Sequence, residues 1–98
     1  MEQQITKEAV IEVLKKIEDP ELRIDIWTLG LMYDIAITGK EITLTMTLTS
    51  PMCPYGPELI HMVKQGVKNL GFNDPKVDIT FNPPWEPSEE VRMLLGLM

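Results

Sequence analysis

The stretch Leu31-Met32-Tyr33-Asp34-Ile35-Ala36-Ile37-Thr38-Gly39-Lys40-Glu41-Ile42-Thr43-Leu44-Thr45-Met46-Thr47-Leu48 decides the fold. Apolar residues fall at every second position on both sides of Gly39-Lys40. They are Leu31, Tyr33, Ile35 and Ile37 before it, and Ile42, Leu44, Met46 and Leu48 after it. Period-two alternation rich in Ile and Thr is the signature of half-buried strands. Gly39-Lys40 suits a two-residue turn with Gly in the first position. Such a turn predicts a register in which Thr38 faces Glu41, Ile37 faces Ile42 and Ile35 faces Leu44. Tyr33 then meets Met46, and Leu31 meets Leu48. Every apolar position lands on one face, which supports the hairpin independently of the turn. The other face carries Thr43, Thr45 and Thr47, a row suited to solvent or a partner.

Working outward, Thr6 can cap a first helix in which Ala9, Val10, Val13, Leu14 and Ile17 recur at helical spacing. Asp19-Pro20 is expected to end it, because the residue before a proline avoids helical angles. Beyond the hairpin, a helix is predicted from about Pro57 to Leu70. Leu59, Ile60, Val63, Val67 and Leu70 form its buried stripe, with His61, Lys64, Gln65 and Lys68 on the far side and Gly71 as the stop. Val77, Ile79 and Phe81 alternate in a third short strand. Ser88 opens a last helix, with Glu89 and Glu90 in its first turn, where the helix dipole favours carboxylates. The order α-β-β-α-β-α predicts an α+β fold. The expected architecture is a two-layer sandwich, with a three-stranded mixed sheet covered by helices on one face.

Ninety-eight residues suffice for one domain and not two, so residues 1–98 are expected to form a single unit. Fifteen acidic against nine basic side chains give a net charge of −6. That argues against nucleic acid, whose phosphates need a basic patch, and against an anionic membrane surface. No apolar run approaches the ~20 residues of a membrane span, and Met1-Glu2-Gln3-Gln4 lacks the basic start of a signal peptide. The expected compartment is the cytoplasm. The single Cys53 excludes an internal disulfide. One cysteine and one histidine also fall short of the roughly four ligands of a self-contained zinc or iron–sulfur site. A P-loop, a dinucleotide fingerprint, a G-x-S-x-G elbow and an H-E-x-x-H pair are all absent.

The predicted register brings Gly30 opposite Thr49. Asp25-Ile26-Trp27-Thr28-Leu29-Gly30 therefore lies beside Thr49-Ser50-Pro51-Met52-Cys53-Pro54. If the third strand runs parallel to the second, Asn82-Pro83-Pro84-Trp85 arrives at the same edge. Sites in α/β sheets often lie at the carboxyl ends of strands. Cys53 sits just before a helix, near exposed N–H groups and the positive end of the dipole, a setting that favours thiolate. A buried cysteine acting as a small hydrophobe fits the same position. Asp19-Pro20-Glu21 reads equally as a helix stop followed by a turn. Trp85 reads as a recognition anchor or as a lid over the sheet edge. His61 reads as a surface residue, and the seven methionines as gap fillers without a regular metal-binding spacing.

Taken together, these segments resemble the SufT-like and PaaD-like iron–sulfur assembly family, long filed as a domain of unknown function. The matching stretches are Asp19-Pro20-Glu21-Leu22, Asp25-Ile26-Trp27-Thr28-Leu29-Gly30-Leu31-Met32-Tyr33, Thr49-Ser50-Pro51-Met52-Cys53-Pro54, and Pro83-Pro84-Trp85 followed by Leu95-Gly96. Their order and spacing carry the likeness. Thr28 departs from it, since the family more often has Asp there.

The resemblance implies a non-enzymatic factor that assists iron–sulfur cluster assembly or delivery through a single reactive cysteine, Cys53. The thiol would serve as a transient, shared metal ligand. Asp19, Pro20, Glu21, Thr49, Ser50, Pro54 and Trp85 would form the functional rim around it. No cofactor would be stably bound; iron or an iron–sulfur cluster would pass through. Expected partners are iron–sulfur client or assembly proteins, or a second copy in a homodimer. The alternative is an accessory interaction subunit of an oxygenase system, as in the phenylacetate-degradation branch, without thiol chemistry. A small thiol enzyme is the weakest reading, because no motif identifies a base and His61 is predicted to face away.

Overall fold

The structure, a computed structural model, describes residues 5–49, 52 and 54–96. β1 (Met32–Thr38) and β2 (Glu41–Met46) form the expected antiparallel hairpin, with Thr38 opposite Glu41, Ile37 opposite Ile42 and Ile35 opposite Leu44. The turn works because Gly39 takes φ +60°, a conformation without steric cost for glycine. The predicted register then fails at one point. Asp34 pairs with Thr45 but Met32 pairs with Met46, so Tyr33 is an extra residue in a β-bulge. Met32, not Tyr33, meets Met46. Beyond the bulge the frame is displaced by one residue: the Thr47 amide donates to the Leu31 carbonyl at 2.8 Å. Leu31 is therefore level with Thr47 and not Leu48, and the expected Gly30–Thr49 pairing is displaced with it.

β3 (Lys76–Ile79) pairs parallel to β2, giving a three-stranded mixed sheet in the order β1-β2-β3. It is shorter than expected. Phe81 lies past its end and is exposed, although the Thr80 amide still donates to the Met46 carbonyl at 2.9 Å. One face of β2 is buried through Ile42, Leu44 and Met46. They join Val10 and Leu14 of α1 (Lys7–Leu14) and Leu59, Val63 and Val67 of α3 (Gly56–Lys68) in one hydrophobic core. The opposite face carries Thr43 and Thr45, both half-buried; Thr47, expected in the same row, is wholly buried. The helices α1 and α3 pack closely. A Cβ built on Gly66 of α3 would lie 2.9 Å from Val13 Cγ1 of α1.

Two helix expectations are corrected. The first helix ends at Leu14, well before Asp19-Pro20. Its last amides close shorter loops, Lys16 to Val13 and Ile17 to Leu14. The backbone of Ile17 and Glu18 is instead used by the next segment: Ile26 donates to the Ile17 carbonyl at 2.9 Å, and Glu18 bridges Asp25. Ile17 sits at helical spacing yet reaches the core from outside the helix. The second correction is α2 (Ile26–Leu29), a single turn where an irregular segment was expected. Asp25 caps it through Oδ2, which accepts from the Thr28 amide at 2.9 Å, and Gly30 ends it in the left-handed region.

The last helix, α4 (Glu89–Leu95), begins as expected, with Ser88 Oγ accepting from the Val91 amide at 3.2 Å. Val91 is its buried residue. No described helix is long and apolar enough to cross a membrane.

Candidate functional site

Cys53 and Ser50 lie outside the described residues, as does Pro51. Their neighbours are placed. Thr49 is half-buried, three residues past the end of β2; Met52, Pro54 and Tyr55 are exposed. α3 starts at Gly56, with Pro57 in its first turn and no side-chain cap from Tyr55. Gly56 is packed against the end of β2, since a Cβ there would lie 2.9 Å from Leu48 Cδ1. The chain therefore leaves the core at Leu48 and re-enters it at Gly56, and the segment holding Cys53 links those two buried points.

The segment after β3 returns to the same side of the hairpin. Tyr33 Oη donates to the Pro83 carbonyl at 2.9 Å, and Trp85 Nε1 donates to the Leu29 carbonyl at 2.6 Å. The bulge places Tyr33, and the α2 turn presents Leu29. The expected meeting of Asn82-Pro83-Pro84-Trp85 with the Asp25–Gly30 segment is thus realised. Trp85 is half-buried and packs against the core, so the lid reading describes its structural place. Sequence reading missed both hydrogen bonds. Tyr33 offered no local signal, because its place in the alternation concealed the bulge.

Asp19 is buried at 1% exposure. Its Oδ1 accepts from the Glu21 amide at 2.8 Å and from the Leu22 amide at 3.0 Å. Its own backbone closes the same loop: the Arg23 amide donates to the Asp19 carbonyl and the Asp19 amide to the Ile24 carbonyl. The turn reading of Asp19-Pro20-Glu21 therefore accounts for Asp19. Arg23 adopts φ +61° in this tight turn. Pro20 and Glu21 are exposed. His61 is exposed on α3, as expected. No group of three or more His, Cys, Asp or Glu among the described residues could hold a metal ion.

A sequence profile described as "Iron-sulfur cluster assembly protein" matches residues 7–79, from the start of α1 to the end of β3. The chain belongs to this family. Its relatives include an "Fe-S protein maturation auxiliary factor" of Porphyromonas gingivalis, 35% identical over 95% of this chain and 93% of the relative. The "Fe-S protein maturation auxiliary factor YitW" of Bacillus subtilis is 38% identical over 93% and 94% of the two chains. Solved structures share the fold. A conserved hypothetical protein from Thermotoga maritima superposes with a TM-score of 0.85 at 39% identity, covering 98% of this chain and 99% of that one. A domain of unknown function from Bacillus anthracis gives a TM-score of 0.82 at 33% identity, over 94% and 92% of the two chains. The α+β architecture with a three-stranded mixed sheet is thus that of a known structural family. The matched range 7–79 includes the Asp19 turn, α2, the hairpin and position 53.

Proposed function

We propose that this protein is a non-enzymatic factor in iron–sulfur cluster assembly or delivery, and that Cys53 serves as a transient thiolate ligand to the cargo. The observation that carries this reading is the family match over residues 7–79, with near end-to-end similarity to relatives named as maturation auxiliary factors. Cluster iron is held by thiolates, usually four per cluster. This chain has one cysteine, so it cannot complete such a set alone. The remaining ligands come from a client, an assembly protein or a second copy. Such a division suits handover, because a single client thiolate that displaces Cys53 from iron ends this chain's hold on the cargo. Exposure of Met52, Pro54 and Tyr55 supports an accessible position for the thiol between them. Thr49 and Pro54 are the described rim residues that flank it in sequence. Asp19 and Trp85 act at one remove: Asp19 shapes the turn before α2, and Trp85 is tied to the last residue of α2. With no membrane-crossing helix among the described residues, the cytoplasm is the compartment this reading favours.

Complementation of a deletion strain tests the proposal, with activity of iron–sulfur enzymes as the readout. Cys53→Ala and Cys53→Ser are expected to fail while melting within a few degrees of the parent. Full rescue by Cys53→Ala would eliminate the ligand role. It would leave the accessory interaction module, which needs the surface and not the thiol.

A further inference from the structure

We propose that the outward face of α3 is a docking site for a short acidic segment of a partner protein. The chain is strongly acidic overall, yet residues 59–73 contain no Asp or Glu. Within them His61, Lys64 and Lys68 recur at a spacing that stacks them along one side of the helix. With Gln65, Asp74 and Pro75 they line a groove of about 190 Å³. α3 forms one wall and the turn before β3 the other. Both walls are fixed. α3 is anchored by its buried stripe, and the Asn73 amide donates to the Lys40 carbonyl at 3.0 Å. Asn73 Nδ2 also donates to Glu41 Oε2 at 3.3 Å. A partner therefore pays little to order this surface.

The charges here are uncommitted. Lys64 and Lys68 are exposed, and neither is ion-paired to a carboxylate among the described residues. Asp74 is the one acid lining the groove. Charge complementarity selects the occupant. A long polyanion or an anionic membrane would span beyond the groove and meet the remaining acidic surface. A short acidic peptide meets only the local lysines, because charges more than about 8–10 Å away are screened at physiological salt. Such complementarity chiefly sets specificity and association rate.

The groove lies toward the other end of β2 from Leu48. It adjoins the Gly39-Lys40 turn and the start of β3, whereas the Cys53 segment leaves from the far end of β2. Docking at α3 calls on no residue of that segment. The inference therefore stands whether or not Cys53 is a ligand.

The test is an NMR titration of the ¹⁵N-labelled full chain with hexaglutamate, at about 10 mM and about 150 mM ionic strength. The expected result is amide shifts concentrated in residues 61–75 and weaker binding at the higher salt. Lys64→Gln combined with Lys68→Gln is expected to weaken binding at least about tenfold, with a melting temperature within a few degrees of the parent because both side chains are exposed. Shifts of equal size around Lys7, Lys15 and Lys16 would overturn the proposal, as would unchanged affinity in the double variant. An identical map with inorganic phosphate would reduce the groove to a general anion site. Tighter binding of oligothymidylate would assign it to nucleic acid instead. Self-association of the parent that the double variant abolishes would make the occupant a second copy, and the proposed partner would be wrong.

Discussion

Trp85 donates its indole N–H to the main-chain carbonyl of Leu29 at 2.6 Å, across 56 positions of sequence. This bond ties the segment after β3 to the last residue of α2. Helix-end carbonyls lack partners within the helix, so a side-chain donor there does necessary work. Together with Tyr33 and Pro83, the pair holds the Asp25–Gly30 and Asn82–Trp85 segments to each other.

Trp85→Phe keeps most of the apolar contact and removes the donor. The Leu29 carbonyl then loses its partner in a part-buried place, at a cost of about 1–3 kcal/mol. Urea unfolding should show a lower midpoint with an unchanged slope. A midpoint equal to the parent's would mean that water replaces the indole freely.

Asp19→Ala strips the acceptor from two backbone amides in a turn whose side chain is buried. The expected loss is about 2–3 kcal/mol. Asp19→Asn retains one oxygen acceptor and should lose less. If both variants were equally stable but failed in complementation, Asp19 would have a functional role that the turn does not explain.

Gly66→Ala sets two effects against each other. Helix propensity favours Ala by about 1 kcal/mol. The new methyl, however, would sit 2.9 Å from Val13 Cγ1 and 3.6 Å from Ile17 Cδ1. Val13 is β-branched and cannot swing aside easily. Overpacking of this kind costs roughly 1–3 kcal/mol, so the net change should be destabilising. In a Val13→Ala background the penalty should vanish and the propensity gain should show. A higher melting temperature for Gly66→Ala alone would contradict the close approach of α1 and α3.

Leu44→Ala and Ile35→Ala separate the centre of the sheet from its edge. Leu44 is fully buried on the central strand, and truncation should cost roughly 2–5 kcal/mol. Its cross-strand partner Ile35 is half-buried on the edge strand, so about half that loss is expected. Equal losses at both sites would show that β1 is covered as fully as β2.

Native Cys53 should react with a thiol reagent at a rate close to that of the unfolded chain. The exposed neighbours Met52 and Pro54 motivate this. Protection of a hundredfold or more would place the sulfur in the interior and remove the ligand reading.

Local features were legible in the sequence because their causes are local. Alternation and Gly39-Lys40 were enough for the hairpin from Asp34 to Thr45. Ser88 announced α4, and the spacing of Leu59, Val63 and Val67 marked the buried side of α3. The single cysteine set a ceiling on metal chemistry before any coordinates. α2 was missed although Asp25 and Gly30 bracket it with cap and stop, because a four-residue helix has no periodicity to detect. The bulge at Tyr33, the early end of α1 and the burial of Asp19 were decided only by tertiary structure. Each depends on a partner distant in sequence or on a competing backbone hydrogen bond: Pro83 for Tyr33, Ile26 for Ile17, Ile24 for Asp19. Side-chain period predicts which face a residue prefers. It cannot say where the backbone will give up one regular bond to satisfy another, because that choice is made by the whole packed chain.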